Sequence, residues 1–363
     1  MKRERNYGLD LFRMFSMFCV IILHLLGHGG ALKATSTNAN FATLWFWEIA
    51  AYPAVNCFVL LSGFVGYRSA RIYPKISNIL SVILSTLFYS LAAFFIYRFV
   101  FAQETTLAQF AFSALPILTT QYWFVSAYVG MFLLSPIINF FVYKAERKLL
   151  VLASVITLTL TILSMLKDPF AFANGYSTMW FVLLYMLGAI IKKEDVLNKL
   201  SVMNGLVCIA IGFSITLGTK LACAFLGSPF SALQNRFISY CSPTVLLMAI
   251  GWLTVFSKVK TTPITNKAIS FITPSVFSVY LIHDNPFIRE LFIANKFTFI
   301  NAYNPIIASG IILSAALAVF FMCLLIDEIR VVLFKFLRVS QITTALEKKI
   351  KAVYAILVKR ISA

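Results

Sequence analysis

Residues 9–30 read LDLFRMFSMFCVIILHLLGHGG, an apolar run long enough to cross a lipid bilayer as a helix, for which about 20 residues are needed. Nine further apolar runs follow it along the chain. They lie near residues 42–67, 76–100, 122–143, 149–166, 176–191, 202–222, 237–256, 268–289 and 305–327. The sequence therefore predicts an all-α integral membrane protein with about ten transmembrane helices.

The composition excludes a chain built from water-soluble domains. Hydrophobic residues make up 60% of the 363 residues and charged residues 12%, against about 45–50% and about 25% in soluble proteins. The six cysteines lie in apolar stretches without a metal-binding spacing, and the three histidines and thirteen carboxylates are scattered. These patterns favour cysteines that pack between helices, and we expect neither a metal nor a disulfide framework.

The net charge of +18 would suit a nucleic-acid partner, but its distribution favours a role in membrane orientation. With ten spans, both termini lie on one side of the membrane, and the segments on that side carry 23 of the 31 lysines and arginines. The opposite side carries seven, and Arg13 lies within the first span. Because cytoplasmic loops are enriched in Lys and Arg, we predict cytoplasmic termini and no nucleic-acid partner.

The chain divides into a membrane domain, residues 1–334, and a short basic tail, residues 335–363. In the tail, apolar residues recur at steps of three and four with lysines between them: Ile342, Leu346, Ile350, Val353, Leu357 and Ile361. The pattern predicts an amphipathic helix on the anionic cytoplasmic leaflet, with a disordered basic tail as the alternative. Residues 107–118 are apolar but short and contain Pro116, so we expect a re-entrant or interfacial piece there.

Two ionisable residues of the first apolar run lie on one helix face. Arg13 and His24 are eleven residues apart, which corresponds to three helical turns plus about 20° and a rise of about 16 Å. Ionisable residues inside a span are costly and usually functional, so we predict a site at each of them. The alternative for His24 is a structural hydrogen bond between helices.

Glu48 lies about five residues from the outer end of the second run, at the same predicted depth as His24. If the first two runs are antiparallel neighbours, this carboxylate would fix the imidazole tautomer and stabilise the imidazolium. We therefore predict that Glu48 and His24 form a catalytic pair. The alternative places Glu48 in the interfacial zone beside Trp45 and Trp47.

Arg68 and Arg71 lie at the cytoplasmic end of the second run and share a helix face because they are three residues apart. With Arg13 at a similar depth they would form a pocket of three guanidinium groups, which suits phosphate since each guanidinium can bind two oxygens. From position alone, the better explanation of Arg68 and Arg71 is that they keep this loop on the cytoplasmic side, where Lys and Arg are enriched. Arg13 lies deeper in its run and is not explained in that way.

Several segments, in order along the chain, resemble those of acyltransferase family 3, a family of bacterial membrane O-acyltransferases. They are RMFSMFCVIILH at residues 13–24, NCFVLLSGFVGY at 56–67, RSAR at 68–71, QYWFVSAYVGMFLLSPIIN at 121–139, MWFVLLYMLGAIIKK at 179–193 and VYLIHDNPFIRE at 279–290. The resemblance covers about residues 5–330. It implies a ten-helix domain in the bacterial cytoplasmic (inner) membrane. Such a domain moves an acyl group, commonly acetyl, from cytosolic acyl-CoA to a hydroxyl of an extracytoplasmic or lipid-linked surface glycan.

On this resemblance, Arg13, Arg68 and Arg71 would bind the phosphates of coenzyme A, and the pantetheine arm would run along the first helix to His24. His24 would act as a general base on the acceptor hydroxyl or become acylated itself, and the sequence leaves both open. The expected partners are membrane lipid and a surface polysaccharide or lipid-linked glycan. Some family members carry an appended hydrolase-like domain, so other cell-envelope enzymes are further candidate partners.

Four more residues are expected near the acceptor, at the outer side. Trp123 and Trp180 begin the fourth and sixth predicted helices, where they would stack on a sugar ring or belong to an interfacial aromatic belt. His283 and Asp284 lie near the outer end of the ninth predicted helix, as further site residues or as structural ones. The alternative function is a transporter or flippase of a lipid-linked sugar, a class that often shows inverted repeats and broken spans. We see neither in the sequence.

Overall fold

The computed structural model of the protein describes residues 5–33, 39–68, 75–227 and 233–361, and these residues form helices and turns without a strand. The helices are α1 Tyr7–Leu26, α2 Ala39–Ala51, α3 Ala54–Gly66, α4 Ile76–Phe95, α5 Leu107–Ala114, α6 Trp123–Lys144, α7 Arg147–Lys167, α8 Thr178–Lys193, α9 Val196–Lys199, α10 Val202–Leu226, α11 Pro243–Ser257, α12 Pro263–Ile272, α13 Val276–His283, α14 Pro286–Phe292, α15 Pro305–Phe336 and α16 Val339–Ile361. The predicted all-α fold is confirmed.

Seven helical segments of the described chain are long and apolar enough to cross a membrane. They are Tyr7–Leu26, Ala39–Gly66, Ile76–Val100, Trp123–Lys144, Arg147–Met165, Val202–Leu226 and Pro305–Phe336. The other three predicted spans correspond to the 16-residue α8, the 15-residue α11, and a broken segment made of α12, a 3₁₀ turn and α13. The count of ten spans and the cytoplasmic position of the termini therefore stay predictions.

The span predicted over 42–67 corresponds to the apolar helical segment Ala39–Gly66, but a break at Tyr52 and Pro53 divides it into α2 and α3. Proline has no backbone N–H and cannot continue the hydrogen bonds of α2. The next helix begins instead with the Cys57 N–H donating to the Pro53 carbonyl at 2.9 Å. The break lies between Glu48 and Asn56, so the two polar residues belong to separate helices.

α1 is the central helix, and it packs against α2, α3, α11, α13 and α15. Two buried apolar clusters surround it, one of which joins α3, α6, α8 and α11, whereas the other joins α1, α13 and α15. The backbones of α3 and α8 approach closely at Gly63, where a Cβ atom would lie 2.1 Å from the Tyr185 carbonyl oxygen. Small residues of this kind permit close helix packing in membranes.

Two peripheral predictions can be compared with the structure. Residues 107–118 form the eight-residue α5, capped by Thr106 and Gln109, and a turn that contains Pro116. This piece is too short to span a bilayer, as predicted. The basic tail forms the helix α16, but α15 continues to Phe336, so the break falls at residues 337–338 rather than after residue 334.

α16 lies against α4 and is attached there by a side chain. Glu347 accepts a hydrogen bond from the Ser77 backbone N–H at 3.1 Å and forms an ion pair with Lys351. The hydrogen bonds from Lys351 and Ser77 lower the pKa of Glu347 to about 2. The first turn of α4 is therefore linked to the basic helix through one carboxylate.

Candidate active site

A cavity of about 310 Å³ lies beside the first half of α1, where it is bounded by α3, α4, α6 and α8. We call it the arginine cavity, and its polar lining consists of Arg13, Ser62, Arg68, Lys75, Asn78, Tyr128, Ser135 and Tyr185. Arg13 and Arg68 also line an adjoining cavity of about 580 Å³ together with Arg5, Asp10 and Lys192. The third predicted guanidinium, Arg71, lies outside the described residues.

Arg13 is held in place by a carboxylate that the sequence reasoning missed. Its Nη1 lies 2.7 Å from the Asp10 Oδ1, and the Arg5 Nε lies 2.6 Å from the Asp10 Oδ2. Asp10 is buried one turn before Arg13 on α1. The three-residue spacing was the available signal, since such residues share a helix face. One carboxylate thus fixes Arg13 while Arg68 and Lys75 keep the cavity cationic.

A second cavity, of about 320 Å³, lies beside the other half of α1. We call it the histidine cavity. Its polar and aromatic lining consists of His24, His28, Glu48, Tyr52, Phe58, Trp123, Phe124, Tyr176, Tyr240, Phe277, Tyr280, Asp284 and Arg289. Arg13 and His24 thus line two different cavities along one helix.

His24 makes a direct contact with His283, 259 residues further along the chain. The His24 Nδ1 lies 2.9 Å from the His283 Nε2, and the His283 Nδ1 lies 2.6 Å from the Val279 carbonyl oxygen. A carbonyl oxygen only accepts, so the His283 Nδ1 carries the proton. In the neutral pair His283 accepts at Nε2, and His24 donates from Nδ1. This tautomer leaves the Nε2 of His24 with a free lone pair.

The carboxylate beside His24 belongs to Asp284. The Asp284 Oδ1 lies 3.6 Å from the His24 Nδ1, 3.7 Å from the His28 Nε2 and 2.9 Å from the Arg289 Nη1. The predicted ion pair between Glu48 and His24 is absent from the contacts of the described residues. The reason is that the end of α13, rather than α2, presents its polar side chains to His24.

Glu48 nevertheless lines the same cavity as His24. It is 8% exposed, and its Oε2 is buried without a hydrogen-bond partner among the described residues. Buried polar atoms normally have a partner. The wall of the histidine cavity therefore contains a buried carboxyl group with one oxygen that lacks a hydrogen-bond partner in the described part of the chain.

The two predicted tryptophans have different surroundings. Trp123 lines the histidine cavity, and its ring centroid lies 4.4 Å from that of Tyr176. Trp180 is fully buried and donates from Nε1 to the Asn56 Oδ1 at 3.1 Å. Its indole lines neither cavity, so the structure does not support sugar stacking or a place in an aromatic belt for Trp180.

A family model described as an acyltransferase domain matches residues 6–326 of the 363. The chain belongs to acyltransferase family 3. The matched region contains both cavities and ends before α16. No curated protein and no solved structure matched the chain. Family membership and the apolar helices together support a multi-pass membrane protein with an acyltransferase role.

In this acyltransferase domain, side chains that line one cavity contact side chains that line the other. Phe58 and Phe124 line the histidine cavity, whereas Ser62 and Tyr128 line the arginine cavity. The rings of Phe58 and Phe124 meet edge to face at 6.2 Å, and Phe124 stacks on Tyr128 at 6.0 Å. The Tyr128 hydroxyl lies 3.4 Å from the Ser62 Oγ. We call these four residues the aromatic partition.

Three side chains that line the histidine cavity also place atoms where they could surround a cation. One nitrogen each of His24 and His28 and one oxygen of Asp284 lie within 4.8 Å of one another. Arg289 already donates to that carboxylate, and its positive charge opposes a cation at this position. The geometry therefore favours a hydrogen-bonded cluster, and the expectation of an enzyme without a metal stays a prediction.

Proposed function

We propose that the protein transfers an acyl group, commonly acetyl, from acyl-CoA to a hydroxyl of an extracytoplasmic or lipid-linked surface glycan. The observation that carries the proposal is the pair of cavities along α1 in an acyltransferase domain. One cavity is cationic around Arg13, and the other holds an imidazole with a free Nε2. The eleven residues between Arg13 and His24 span about 16 Å of helix.

The arginine cavity is the proposed donor site. Arg13 and Arg68 offer guanidinium groups and Lys75 an ammonium group, which together match the phosphates of coenzyme A. Asp10 orients Arg13 and leaves its other N–H groups for a ligand. Arg71 retains its predicted role as a third guanidinium. The donor enters from the cytoplasm if the termini are cytoplasmic.

The histidine cavity is the proposed site of transfer. The His24 Nε2 accepts the proton of the acceptor hydroxyl, and the hydroxyl oxygen attacks the thioester carbonyl carbon. The C–S bond then breaks, the acyl oxygen ester forms, and the proton passes from His24 to the coenzyme A thiolate. Asp284 stabilises the transient imidazolium from 3.6 Å. In the alternative order, His24 Nε2 takes the acyl group first and the hydroxyl takes it second.

The transporter alternative gains one observation from the structure. A span broken at Pro53 resembles the discontinuous helices of transporters. The two functions differ in the fate of the donor, since a flippase moves its lipid-linked sugar without consuming acyl-CoA. Family membership favours the transferase.

The deciding experiment uses inverted membrane vesicles and acetyl-CoA labelled in the acetyl group. We expect label in the glycan fraction, one coenzyme A released per acetyl transferred, and loss of both in His24→Ala. Cys19→Ala is the matched control, because Cys19 is buried on the same helix and lines neither cavity. Glycan translocation without release of coenzyme A would overturn the proposal in favour of transport.

A further inference from the structure

We propose that the part of the histidine cavity lined by Glu48, Tyr52, Trp123, Tyr176 and Tyr240 is a subsite for one sugar ring of the acceptor. Within it, the Glu48 carboxyl forms a hydrogen bond with a hydroxyl other than the one that is acylated. The inference rests on the proposed function and adds to it the position of the acceptor and the residue that selects it.

The wall of this subsite is aromatic. Tyr52 stacks on Tyr240 with centroids 4.8 Å apart, and Trp123 lies nearly parallel to Tyr240 at 6.1 Å. Tyr176 contacts Trp123 and Tyr240, and its ring centroid lies 4.4 Å from that of Trp123 and 5.1 Å from that of Tyr240. Rigid aromatic groups with polar edges suit a ligand that has an apolar face and a polar rim. A pyranose ring has this form.

The second, independent observation is the unpartnered oxygen of Glu48. This side chain is more than nine-tenths buried, it lines the cavity, and its Oε2 has no hydrogen-bond partner among the described residues. A buried polar atom without a partner destabilises the fold, and more so when it is charged. A carboxyl oxygen accepts when it carries no proton and donates when it does, so its partner must be able to do either. A sugar hydroxyl both donates and accepts.

The size of the cavity limits what it holds. Its volume of about 320 Å³ falls at the lower end of the range of about 300–1,000 Å³ for ligand pockets. This space suits one ring rather than an oligosaccharide. A lipid tail would leave the Glu48 oxygen without a hydrogen-bond partner, so the apolar part of a lipid-linked acceptor does not fit this position.

Glu48 is assigned as a specificity-determining residue and not as the partner of His24. Asp284 and His283 already contact the His24 Nδ1 from α13 and its C-terminal end, whereas Glu48 reaches the same cavity from α2. A ring that bonds to Glu48 and packs on the tyrosines presents another of its hydroxyls to the His24 Nε2. The choice of acylated hydroxyl would follow from this placement.

The test replaces the chromosomal gene, in the cells that encode the protein, with Glu48→Met or Trp123→Leu. The readout is the ester-linked acyl group that mild alkali releases from the purified surface glycan. We expect a loss of about threefold or more in Glu48→Met, the effect of losing one ordinary hydrogen bond to the acceptor. Coenzyme A binding by each purified variant in nanodiscs should equal that of wild type.

Thermal unfolding separates a ligand-binding carboxylate from a structural one. Removing an unpartnered buried carboxyl should leave the unfolding midpoint of Glu48→Met equal to or above that of wild type. The contrasting control is Asn56→Leu. Asn56 accepts from the Trp180 Nε1 and donates to the Tyr240 carbonyl at 2.7 Å, so its loss should lower the midpoint.

The outcomes distinguish the subsite from the function on which it rests. Equal glycan acylation in wild type and a gene deletion would refute the proposed function itself. Acylation that depends on the gene but is unchanged in both Glu48→Met and Trp123→Leu would refute the subsite alone. A loss in Glu48→Met that comes with a lower unfolding midpoint or weaker coenzyme A binding would assign Glu48 a structural role and also overturn the subsite.

Discussion

The arginine cavity and the histidine cavity have nearly the same volume, about 310 and 320 Å³, and opposite chemistry. The first has basic side chains around it and a single carboxylate that orients Arg13. The second is walled by aromatic rings and concentrates its polar groups at His24 and at Glu48. Two cavities of one size along one helix thus suit different parts of a reaction, the anchoring of phosphates and the transfer of a proton.

The comparison predicts that removing the imidazole has the largest effect on turnover and little effect on donor binding. His24→Ala should reduce acyl transfer by about 10²–10⁴-fold, the usual contribution of a general base. The affinity for coenzyme A should stay within about twofold of wild type, because the proposed phosphate site is the other cavity. Single-turnover transfer and calorimetric binding in nanodiscs measure the two quantities. Residual transfer above about a tenth of wild type would remove His24 from the chemistry.

Substitutions in the arginine cavity should instead have their main effect on donor binding. Arg13→Ala and Arg68→Ala should each weaken acyl-CoA binding by about 10–100-fold, as expected for a lost charge-assisted hydrogen bond. Arg98→Ala is the matched control, because Arg98 is exposed and lines neither cavity. If either arginine binds the ribose 3′-phosphate, its loss should matter less for dephospho-CoA. Equal losses for both donors would point to the pyrophosphate, and wild-type affinity in both variants would separate this cavity from the donor.

Within the histidine cavity, substitution of Asp284 should lower the rate of transfer, and substitution of Glu48 should weaken binding of the acceptor. Asp284→Asn should lower kcat about tenfold or more at saturating substrates, because it removes the negative charge beside the His24 imidazolium. Glu48→Gln should mainly raise the KM for the acceptor. If Glu48→Gln lowers kcat and Asp284→Asn raises the acceptor KM instead, the result would support the pair of Glu48 and His24 expected from the sequence. Crosslinking of cysteines placed at 24 and 284, or at 24 and 48, in a Cys-free background gives an independent check.

The smallest predicted effect concerns α16, which packs on α4 and α15. The pKa of Glu347 is lowered to about 2, so its contribution to docking is complete above its ordinary value of 4.5 and is lost as the pH falls toward 2. The protection factors of residues 339–353, which are exchange rates corrected for the intrinsic pH dependence of amide exchange, should therefore fall between pH 6 and pH 3. Glu347→Gln should show the low protection at both values and change coenzyme A affinity by no more than about threefold. Equal protection factors of wild type at the two pH values would contradict this role of Glu347.

The sequence predicts the long helices well, because uninterrupted apolar runs have few alternatives in a membrane. The predicted run at 122–143 and the helix Trp123–Lys144 differ by one residue at each end. Pro53 was visible as a helix breaker inside its run, and the reasoning overlooked it. Asp10 was likewise visible at three residues from Arg13.

The group formed by His24, His283 and Asp284 was only partly predictable from the sequence. His283 and Asp284 were recognised as polar residues near a helix end, but their contact with His24 joins positions 259 residues apart. Periodicity gives the depth and the face of a residue along its own helix. It does not say which of several neighbouring helices that face meets. Equal depth therefore suggested Glu48 as the partner, while the packing of α13 against α1 supplies Asp284.

The aromatic partition bears on the energy supply of the cell. A water-filled path from Arg13 to His24 would be about 16 Å long, about half the thickness of the hydrocarbon layer. The membrane voltage, worth about 2.3 kcal/mol per charge per 100 mV, would drive ions along such a path. Narrow apolar constrictions expel water and stop such a current. The contacting rings of Phe58, Phe124 and Tyr128 would act as a barrier of this kind. If acyl-CoA is the donor, its arm would have to fill the gap between these rings as it opens, so that thioester delivery proceeds without an electrical leak.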